Sequence, residues 1–339
     1  MTLRSRWWRA MMPRIGAGIV LTALAVGVLA QERLTSPDLV VLCSNNVESC
    51  VAVVAEYEEM TGADVTVVRM PTTEALARIR VPKDVGEFDV WMGGPADAYT
   101  LAANEGLLAV PDIADSSNIP ADLKDPDGRW YGIYGGILAF CVAADAQAPR
   151  TWEDLPEHDG VVIPNPLTSG TALTMLSVHY ERLGSVDAAM AYMARLDDTV
   201  LTYTDSGTVP AHVVGSGRAD VGVTFGPYCE REQLLGYDVT TVYPLDGTGF
   251  EVGAIAVLDE SSARVEATRF VTFTISDTGQ QIGAAAASQL PVSDRLDIHL
   301  TQELEDLDVP IFGRDMVAAG ERRTDLITAW VRQVRHGAY

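Results

Sequence analysis

Short apolar stretches alternate with helical patterns along most of this chain, and the alternation limits the fold more than any other feature. Three stretches are typical of buried strands, and a segment of helical periodicity follows each of them: "LVVLCS" (39–44), "DVTVVRM" (64–70) and "FDVWMGG" (88–94). Repeated strand–helix–strand units predict a mostly parallel sheet with helices on its faces.

A second series of strands and helices begins after the turn-rich stretch 111–130. Strands are predicted at 136–143, 160–165, 200–204 and 220–225, and helices at 169–183, 186–196 and 208–216. The long apolar segment "FEVGAIAVL" (250–258) predicts a strand that returns to the first series, and helical patterns dominate from there to the end. The sequence therefore predicts an α/β fold of two doubly wound lobes joined by hinge strands.

The first thirty residues form a separate segment, which we expect to be a cleaved export signal. Arginines precede the apolar run "IGAGIVLTALAVGVLA" (15–30), which is short for a membrane span and ends on small residues. An uncleaved membrane anchor is the alternative. The full chain has 24 basic residues; four of them lie in this segment, so the remainder has 20 against 47 acidic residues, a formal charge of -27. Such acidity argues against nucleic acid or an anionic membrane surface as a partner.

Export of the protein would allow its four cysteines to form disulfides, because disulfides persist in oxidising compartments. Cys43, Cys50, Cys141 and Cys229 allow three pairings, among which the sequence does not choose. Four buried free thiols are the alternative. The cysteine spacing does not match a metal site and the histidines are scattered, so neither a metal nor a cofactor is predicted.

The predicted binding site lies in the loops that leave the carboxyl ends of the strands, where open α/β sheets bind ligands. These loops are rich in hydroxyl, amide and glycine groups, a composition that suits a small polar molecule held by hydrogen bonds. In the first lobe the candidates are Ser44, Asn45, Thr72, Thr73 and Gly94. In the second lobe they are Asn165, Ser169, Gly170, Thr171, Asp205, Ser206 and Tyr228. Tyr134, as an aromatic wall, and Glu251, on the returning strand, complete the set.

The stretch "NPLTSGTALTML" (165–176) places hydroxyl and glycine residues at the start of an apolar helix. Ser169, Gly170 and Thr171 offer hydroxyls and free backbone N–H groups where the helix dipole favours negative charge. Simple helix capping is the alternative. In a cleft loop of this fold the pattern favours an anion site, for a phosphate, phosphonate, sulfonate or carboxylate group.

Five blocks of the sequence resemble bacterial periplasmic solute-binding proteins of ABC importers, in particular the branch that binds ferric ion or sugar phosphates. The blocks are "TGADVTVVRMPTTEALARIR", "FDVWMGGPADAYTLAANEGLL", "VVIPNPLTSGTALTML", "YTDSGTVPAHVVGSGRADVGVTF" and "GTGFEVGAIAVL". The resemblance implies a type II bilobed receptor that closes on its solute in the periplasm and delivers it to an ABC permease in the inner membrane. We assign residues 31–134 and 250–339 to one lobe and 135–249 to the other, and we expect a monomer.

Two departures from that branch bear on the ligand. Iron-binding members usually carry two adjacent tyrosines where this chain has "GPYC" (226–229), and a histidine or carboxylate where it has Asn45 and Asn46. Ferric iron prefers anionic oxygen ligands. The His-Asp pair that sugar-phosphate binders tend to show near the tyrosine position is also missing from that position in this chain. We therefore expect a small anionic organic solute that bears a phosphate, phosphonate or carboxylate; a ferric-ion receptor and a solute-sensing subunit for a membrane kinase are the alternatives.

An enzyme is the least favoured class. "TDSGT" (204–208) matches the aspartic-protease signature, and "DTG" (277–279) gives a partial second copy. A pepsin-like fold is nearly all β, however, whereas this chain alternates β with α. No catalysis is predicted.

Overall fold

The computed structural model describes residues 37–82 and 86–336. The predicted export signal lies outside these residues, so its cleavage stays a prediction. The strands of the described residues are β1 (Leu39–Cys43), β2 (Val65–Arg69), β3 (Val90–Pro95), β4 (Tyr131–Ala143), β5 (Val161–Pro164), β6 (Val200–Thr204), β7 (Val221–Phe225), β8 (Val239–Val242), β9 (Thr248–Val257) and β10 (Ile311–Phe312). The α-helices are α1 (Val47–Thr61), α2 (Thr72–Ile79), α3 (Ala96–Asn104), α4 (Gly170–Leu183), α5 (Val186–Asp197), α6 (Val209–Gly215), α7 (Gly226–Leu234), α8 (Arg264–Ile275), α9 (Asp277–Ala287), α10 (Leu300–Asp306) and α11 (Met316–Gln333).

The strands form one sheet, whose main path runs in the order β2-β1-β3-β9-β4-β7-β5-β6. At one end β2, β1 and β3 are parallel, and at the other end β7, β5 and β6 are parallel. Between them, β9 and β4 run antiparallel to their neighbours on this path, and the short β10 pairs with β9 in parallel. Helices fill the crossovers of both parallel ends, because parallel neighbours need long connections. This arrangement confirms the predicted α/β fold.

β4 and β9 join the two parallel ends because each is long enough to serve both. The first part of β4 (131–137) pairs with β9, and the second part (138–143) pairs with β7 and β8. Both strands are buried along nearly their whole length. Their near-continuous apolar sequences follow from this, since both faces of each strand are covered.

The buried apolar side chains form two clusters. The first cluster draws on β1, β2, β3, the first part of β4 and most of β9. The second cluster draws on β5, β7, the second part of β4, and helices α4 and α5. α11 reaches both regions: Arg323 pairs with Asp97 of α3 at 2.7 Å, whereas Leu326 and Trp330 are buried in the second cluster. The lobe boundaries drawn from the sequence stay a prediction. They assign α11 to the first lobe alone, whereas its side chains contact both regions.

Two disulfides join the four cysteines, and this resolves the pairing that the sequence left open. Cys43 at the end of β1 is bonded to Cys50 of α1, and Cys141 of β4 is bonded to Cys229 of α7. The alternative of four free thiols is therefore wrong. Among the residues that the structure describes, none of the helices is both long enough and apolar enough to cross a membrane.

Candidate functional site

One cleft is lined by residues at or just after the ends of β1, β2, β3 and β6 and by the start of α4. The space between its lining residues is about 450 Å³, a figure that includes the part open to solvent. The predicted site residues that line it are Ser44, Asn45, Thr72, Gly94, Tyr134, Ser169, Gly170, Thr171, Asp205, Ser206, Tyr228 and Glu251. The carboxyl ends of strands from both clusters thus meet at one place, as expected for an α/β sheet.

Thr73 and Asn165 were also predicted to be site residues, but they do not line the cleft. The Thr73 hydroxyl accepts a hydrogen bond from the guanidinium of Arg323 at 3.4 Å. Asn165 Oδ1 accepts a hydrogen bond from the backbone N–H of Leu167 at 2.9 Å. Its side chain therefore shapes the turn that leads into α4 rather than the surface of the cleft.

The first turn of α4 carries donors that have no partner among the residues that the structure describes. Ser169 is the N-cap residue, yet its side chain makes no capping hydrogen bond. The backbone N–H groups of Gly170 and Thr171 have no acceptor among the described residues. Helix starts leave such groups free, and the helix dipole adds partial positive charge there. The serine therefore does not serve the simple capping role that the sequence left as an alternative.

Gly170 is required at this helix start because its surroundings leave no room for a side chain. A Cβ atom at this position would lie 2.5 Å from Glu251 Oε2 and 2.9 Å from Pro95 Cδ. Gly94, whose φ is +81°, would bring a Cβ atom against the hydroxyl of Thr72. The two glycines therefore allow β3, β9 and the ends of α2 and α4 to approach each other around the cleft.

Glu251 is buried at this contact and has one hydrogen-bond partner in the part of the chain that the structure describes. The Tyr134 hydroxyl accepts from the backbone N–H of Gly94 at 3.1 Å and donates to Glu251 Oε1 at 3.3 Å. Glu251 Oε2 has no partner among the described residues. Burial, together with the nearby charge of Asp97, raises the pKa of Glu251 to about 8. Glu251 is therefore mostly protonated at neutral pH and adds little negative charge to the cleft.

A second buried network joins Asn45, Asn46, Tyr228 and Gln289. Asn45 and Gln289 exchange two amide bonds, since Gln289 Nε2 donates to Asn45 Oδ1 at 2.8 Å and Asn45 Nδ2 donates to Gln289 Oε1 at 3.1 Å. Gln289 Nε2 also donates to the Tyr228 hydroxyl at 3.0 Å, as does Asn46 Nδ2 at 3.5 Å. Burial raises the pKa of Tyr228 above its ordinary range, so this side chain is a neutral phenol. The network links the loop after β1 to α7.

Arg69 lines the cleft, although the sequence analysis did not select it. It makes no salt bridge or hydrogen bond with any residue that the structure describes. Partial burial lowers the pKa of its guanidinium, which nevertheless stays charged at all physiological pH values. Arg69 is the last residue of β2, so the same strand-end rule that selected its neighbours would have found it.

The remaining polar groups of the cleft are hydroxyl and amide groups and one exposed carboxylate. Asp205 is exposed at the end of β6 and has no hydrogen-bond partner among the described residues. In residues 37–82 and 86–336, no group of three or more His, Cys, Asp or Glu side chains is placed to hold a metal ion. The cleft can therefore hold a small polar molecule by hydrogen bonds, with Arg69 as its free cation.

Comparison with known proteins agrees with this geometry. Residues 52–303 match the family model described as bacterial extracellular solute-binding protein, and this range is well over half of the chain. The chain belongs to the bacterial extracellular solute-binding protein family. Members of the family are binding proteins of transporters, so this solute-binding protein is a periplasmic receptor of an ABC importer and not an enzyme.

Individual proteins are similar to this chain in sequence or in fold, and two of the similar structures contain different ligands. An uncharacterized protein of Haemophilus influenzae is 27% identical over 343 residues, which cover 95% of this chain and 98% of the relative. The periplasmic binding protein AfuA of Actinobacillus pleuropneumoniae, solved with exogenous fructose 6-phosphate bound, is 26% identical, with a TM-score of 0.80 over 88% of this chain and 98% of AfuA. Iron-bound HitA of Pseudomonas aeruginosa is 18% identical, with a TM-score of 0.73 over 86% of this chain and 98% of HitA. The predicted type II periplasmic binding protein fold is thereby confirmed.

Proposed function

We propose that this solute-binding protein captures a small organic solute with an anionic group, and that the first turn of α4 receives that group. The observation that carries the proposal is a set of free donors in one cleft: the N–H groups of Gly170 and Thr171, the hydroxyl of Ser169 and the guanidinium of Arg69. A helix N-terminus and an unpaired arginine both favour negative charge. None of these donors has an acceptor within residues 37–82 and 86–336, so each is available to a solute.

The rest of the cleft suits the organic part of such a solute. Its lining of hydroxyl, amide and glycine residues offers hydrogen-bonding groups around the space that the solute would occupy. Ser206 and Thr208 share a hydrogen bond of 2.8 Å between their hydroxyls, which orients both side chains without solute. Asp205 offers an exposed carboxylate that can accept hydrogen bonds from solute hydroxyl groups. A phosphate-, phosphonate- or carboxylate-bearing metabolite would use both kinds of group.

The donor set gives weaker support to ferric ion, which prefers several anionic oxygen ligands. Tyr134 and Tyr228 both line the cleft, and burial raises the pKa of each phenol well above neutral pH. Glu251 is mostly protonated for the same reason. Asp205 is then the one exposed carboxylate of the lining, and it faces a cleft that also holds Arg69. An organic anion fits this balance of charge better than a trivalent cation.

The experiment that tests the proposal is a thermal-shift comparison of fructose 6-phosphate, fructose, inorganic phosphate and ferric citrate. The phosphate ester is chosen because AfuA was solved with it bound. We expect fructose 6-phosphate to raise the melting temperature and fructose alone to leave it unchanged. A ligand at a hundred times its dissociation constant adds about 2.7 kcal/mol of stability, which is easily detected. Stabilisation by ferric citrate alone would overturn the proposal in favour of an iron receptor.

Arg69→Gln supplies the matched variant for this experiment. Loss of a charge-assisted hydrogen bond of about 1.5 to 3 kcal/mol should weaken binding of the phosphate ester by roughly tenfold or more. The exposed Arg218, which lies outside the cleft lining, provides the control variant Arg218→Gln. Equal affinities of the two variants for fructose 6-phosphate would remove Arg69 from the site. If neither the wild-type protein nor the control binds it, phosphonates and carboxylates are tested in the same assay, and failure of all of them rejects an anionic solute.

A further inference from the structure

Gln289 lies outside the residues that line the cleft, yet it contacts two residues that do. It follows α9 in the chain, after Ser288, which takes a left-handed conformation with φ of 52°. The next residue, Leu290, exchanges two backbone hydrogen bonds with Gly135 of β4, at 2.6 and 3.0 Å. The backbone on both sides of Gln289 is thus fixed, and its side chain is buried between Asn45 and Tyr228.

The orientation of this network is determined by one backbone group. The N–H of Asn46 donates to Asn45 Oδ1 at 2.8 Å, and a backbone N–H is always a donor. The Asn45 atom at that position must therefore be the oxygen. Because Gln289 meets the same oxygen at 2.8 Å, the Gln289 atom there must be its NH₂ group. These two contacts fix which atom is oxygen and which is nitrogen in the side-chain amides of Asn45 and Gln289.

The orientation of Gln289 fixes the role of the Tyr228 hydroxyl. The second hydrogen of Gln289 Nε2 points to the Tyr228 oxygen, which also accepts from Asn46 Nδ2. A phenol oxygen that accepts two N–H groups has its own hydrogen left to donate. With the Asn46 amide oriented as a donor, no described residue accepts that hydrogen, and Tyr228 lines the cleft. The Tyr228 O–H group is therefore available to a solute.

We propose that Gln289 is a positioning residue, which holds Tyr228 as a hydrogen-bond donor to an oxygen atom of the solute. This inference rests on the proposed function, since it assigns the donor to the same anionic or oxygen-rich solute. Gln289 contacts the loop after β1 through Asn45 and contacts α7 through Tyr228. The Tyr228 hydroxyl is therefore oriented as a donor only when this loop and α7 are together. Gln289 does not itself touch the solute.

The test is Gln289→Glu, examined alone and in combination with Tyr228→Phe. The glutamate keeps the size of the side chain but replaces its donors with acceptors, so the Tyr228 hydroxyl would donate to it and turn from the cleft. We expect the Kd for fructose 6-phosphate to rise about tenfold in Gln289→Glu, as for one lost hydrogen bond. In the Tyr228→Phe background the same change should have no further effect, because the group it acts through is gone.

The exposed Gln302→Glu on α10 controls for the added charge. An equal loss of affinity from Gln289→Glu with and without the Tyr228 hydroxyl would overturn the inference, since a purely structural role predicts that result. Gln289→Met serves as a second variant if the glutamate prevents folding. It removes the donor to Tyr228 without supplying an acceptor, so the same dependence on the Tyr228 hydroxyl is expected.

A second measurement needs no solute and separates this inference from the proposed function. The infrared C–O stretching band of Tyr228 is isolated by ¹³C labelling at Cζ and subtraction of the Tyr228→Phe spectrum. This band shifts when a phenol changes from acceptor to donor. We expect a shift in Gln289→Glu and none in Gln302→Glu. If none of the anionic solutes binds but the band shifts, the proposed function is wrong and the control of the Tyr228 hydroxyl by Gln289 stands; an unshifted band overturns that control.

Discussion

Glu251 places a mostly buried carboxyl group beside the first turn of α4, where Tyr134 is its only donor among the described residues. Loss of water disfavours the charged form, and the pKa rises from an ordinary 4.5 to about 8. The folded protein therefore holds a proton that the unfolded chain releases. The contribution of Glu251 to the free energy of unfolding is full below about pH 4.5 and is lost progressively as the pH rises to about 8.

Glu251→Gln should remove this pH dependence, because the amide is neutral at every pH and has nearly the same shape. The variant is expected to gain stability relative to the wild type as the pH rises, by up to about 1.4 kcal/mol per pH unit between about pH 5 and pH 8. Urea unfolding across that range measures the difference. The exposed Glu305→Gln on α10 is the control for replacing a carboxyl group with an amide. A pH-independent difference between Glu251→Gln and the wild type would show that the carboxyl group is not protonated in the folded protein.

Individual residues of the cleft could be predicted where their role depends on local sequence. Ser169, Gly170 and Thr171 stand at a recognisable helix start, and the structure places all three in the lining. Gln289 could not be found in this way, because it meets Asn45 across 244 residues of sequence. Nothing in the sequence around Gln289 distinguishes it from other glutamines, since its role arises from the packing of distant elements.

The strands could be predicted to within a few residues where an apolar run is continuous. The stretch 39–44 contains β1 (39–43), and 250–258 matches β9 (248–257) closely. β4 was expected at 136 but begins at Tyr131, because its early glycines weaken the apolar pattern. One of them, Gly136, is required by packing, since a Cβ atom there would lie 2.7 Å from the ring of Phe225. Local sequence cannot show such a contact.

The two disulfides fasten different elements and close loops of different length. Cys43 and Cys50 are 7 residues apart, whereas Cys141 and Cys229 are 88 apart. Loss of unfolded-chain entropy predicts a stabilisation of about 2.4 kcal/mol for the shorter loop and about 4.6 kcal/mol for the longer one. The paired substitution Cys141→Ser with Cys229→Ser should therefore lower the free energy of unfolding more than Cys43→Ser with Cys50→Ser. Urea unfolding of the two variants gives the order, and the reverse order would mean that loop length does not set their contributions.

At the scale of the whole molecule, the two hydrophobic clusters share β4, β9 and α11. α11 adds ion pairs to regions on both sides, with Arg323 bonded to Asp97 at 2.7 Å and Arg322 close to Glu181 of α4 at 3.4 Å. Its Trp330 is fully buried in the second cluster. Elements that belong to both clusters couple their stability, so the protein should unfold in a single cooperative transition.

Trp330→Ala tests this coupling, because it removes a large side chain from the second cluster only. The cavity should cost about 3 to 5 kcal/mol of unfolding free energy. If the clusters are coupled, amide hydrogen exchange should become faster by the same factor in β1, which lies in the first cluster, as in β5, which lies in the second. Val317→Ala, at a half-exposed position of the same helix, should change neither. Faster exchange in β5 alone would mean that the two ends of the sheet fold independently, and that β4 and β9 act only as flexible connections between them.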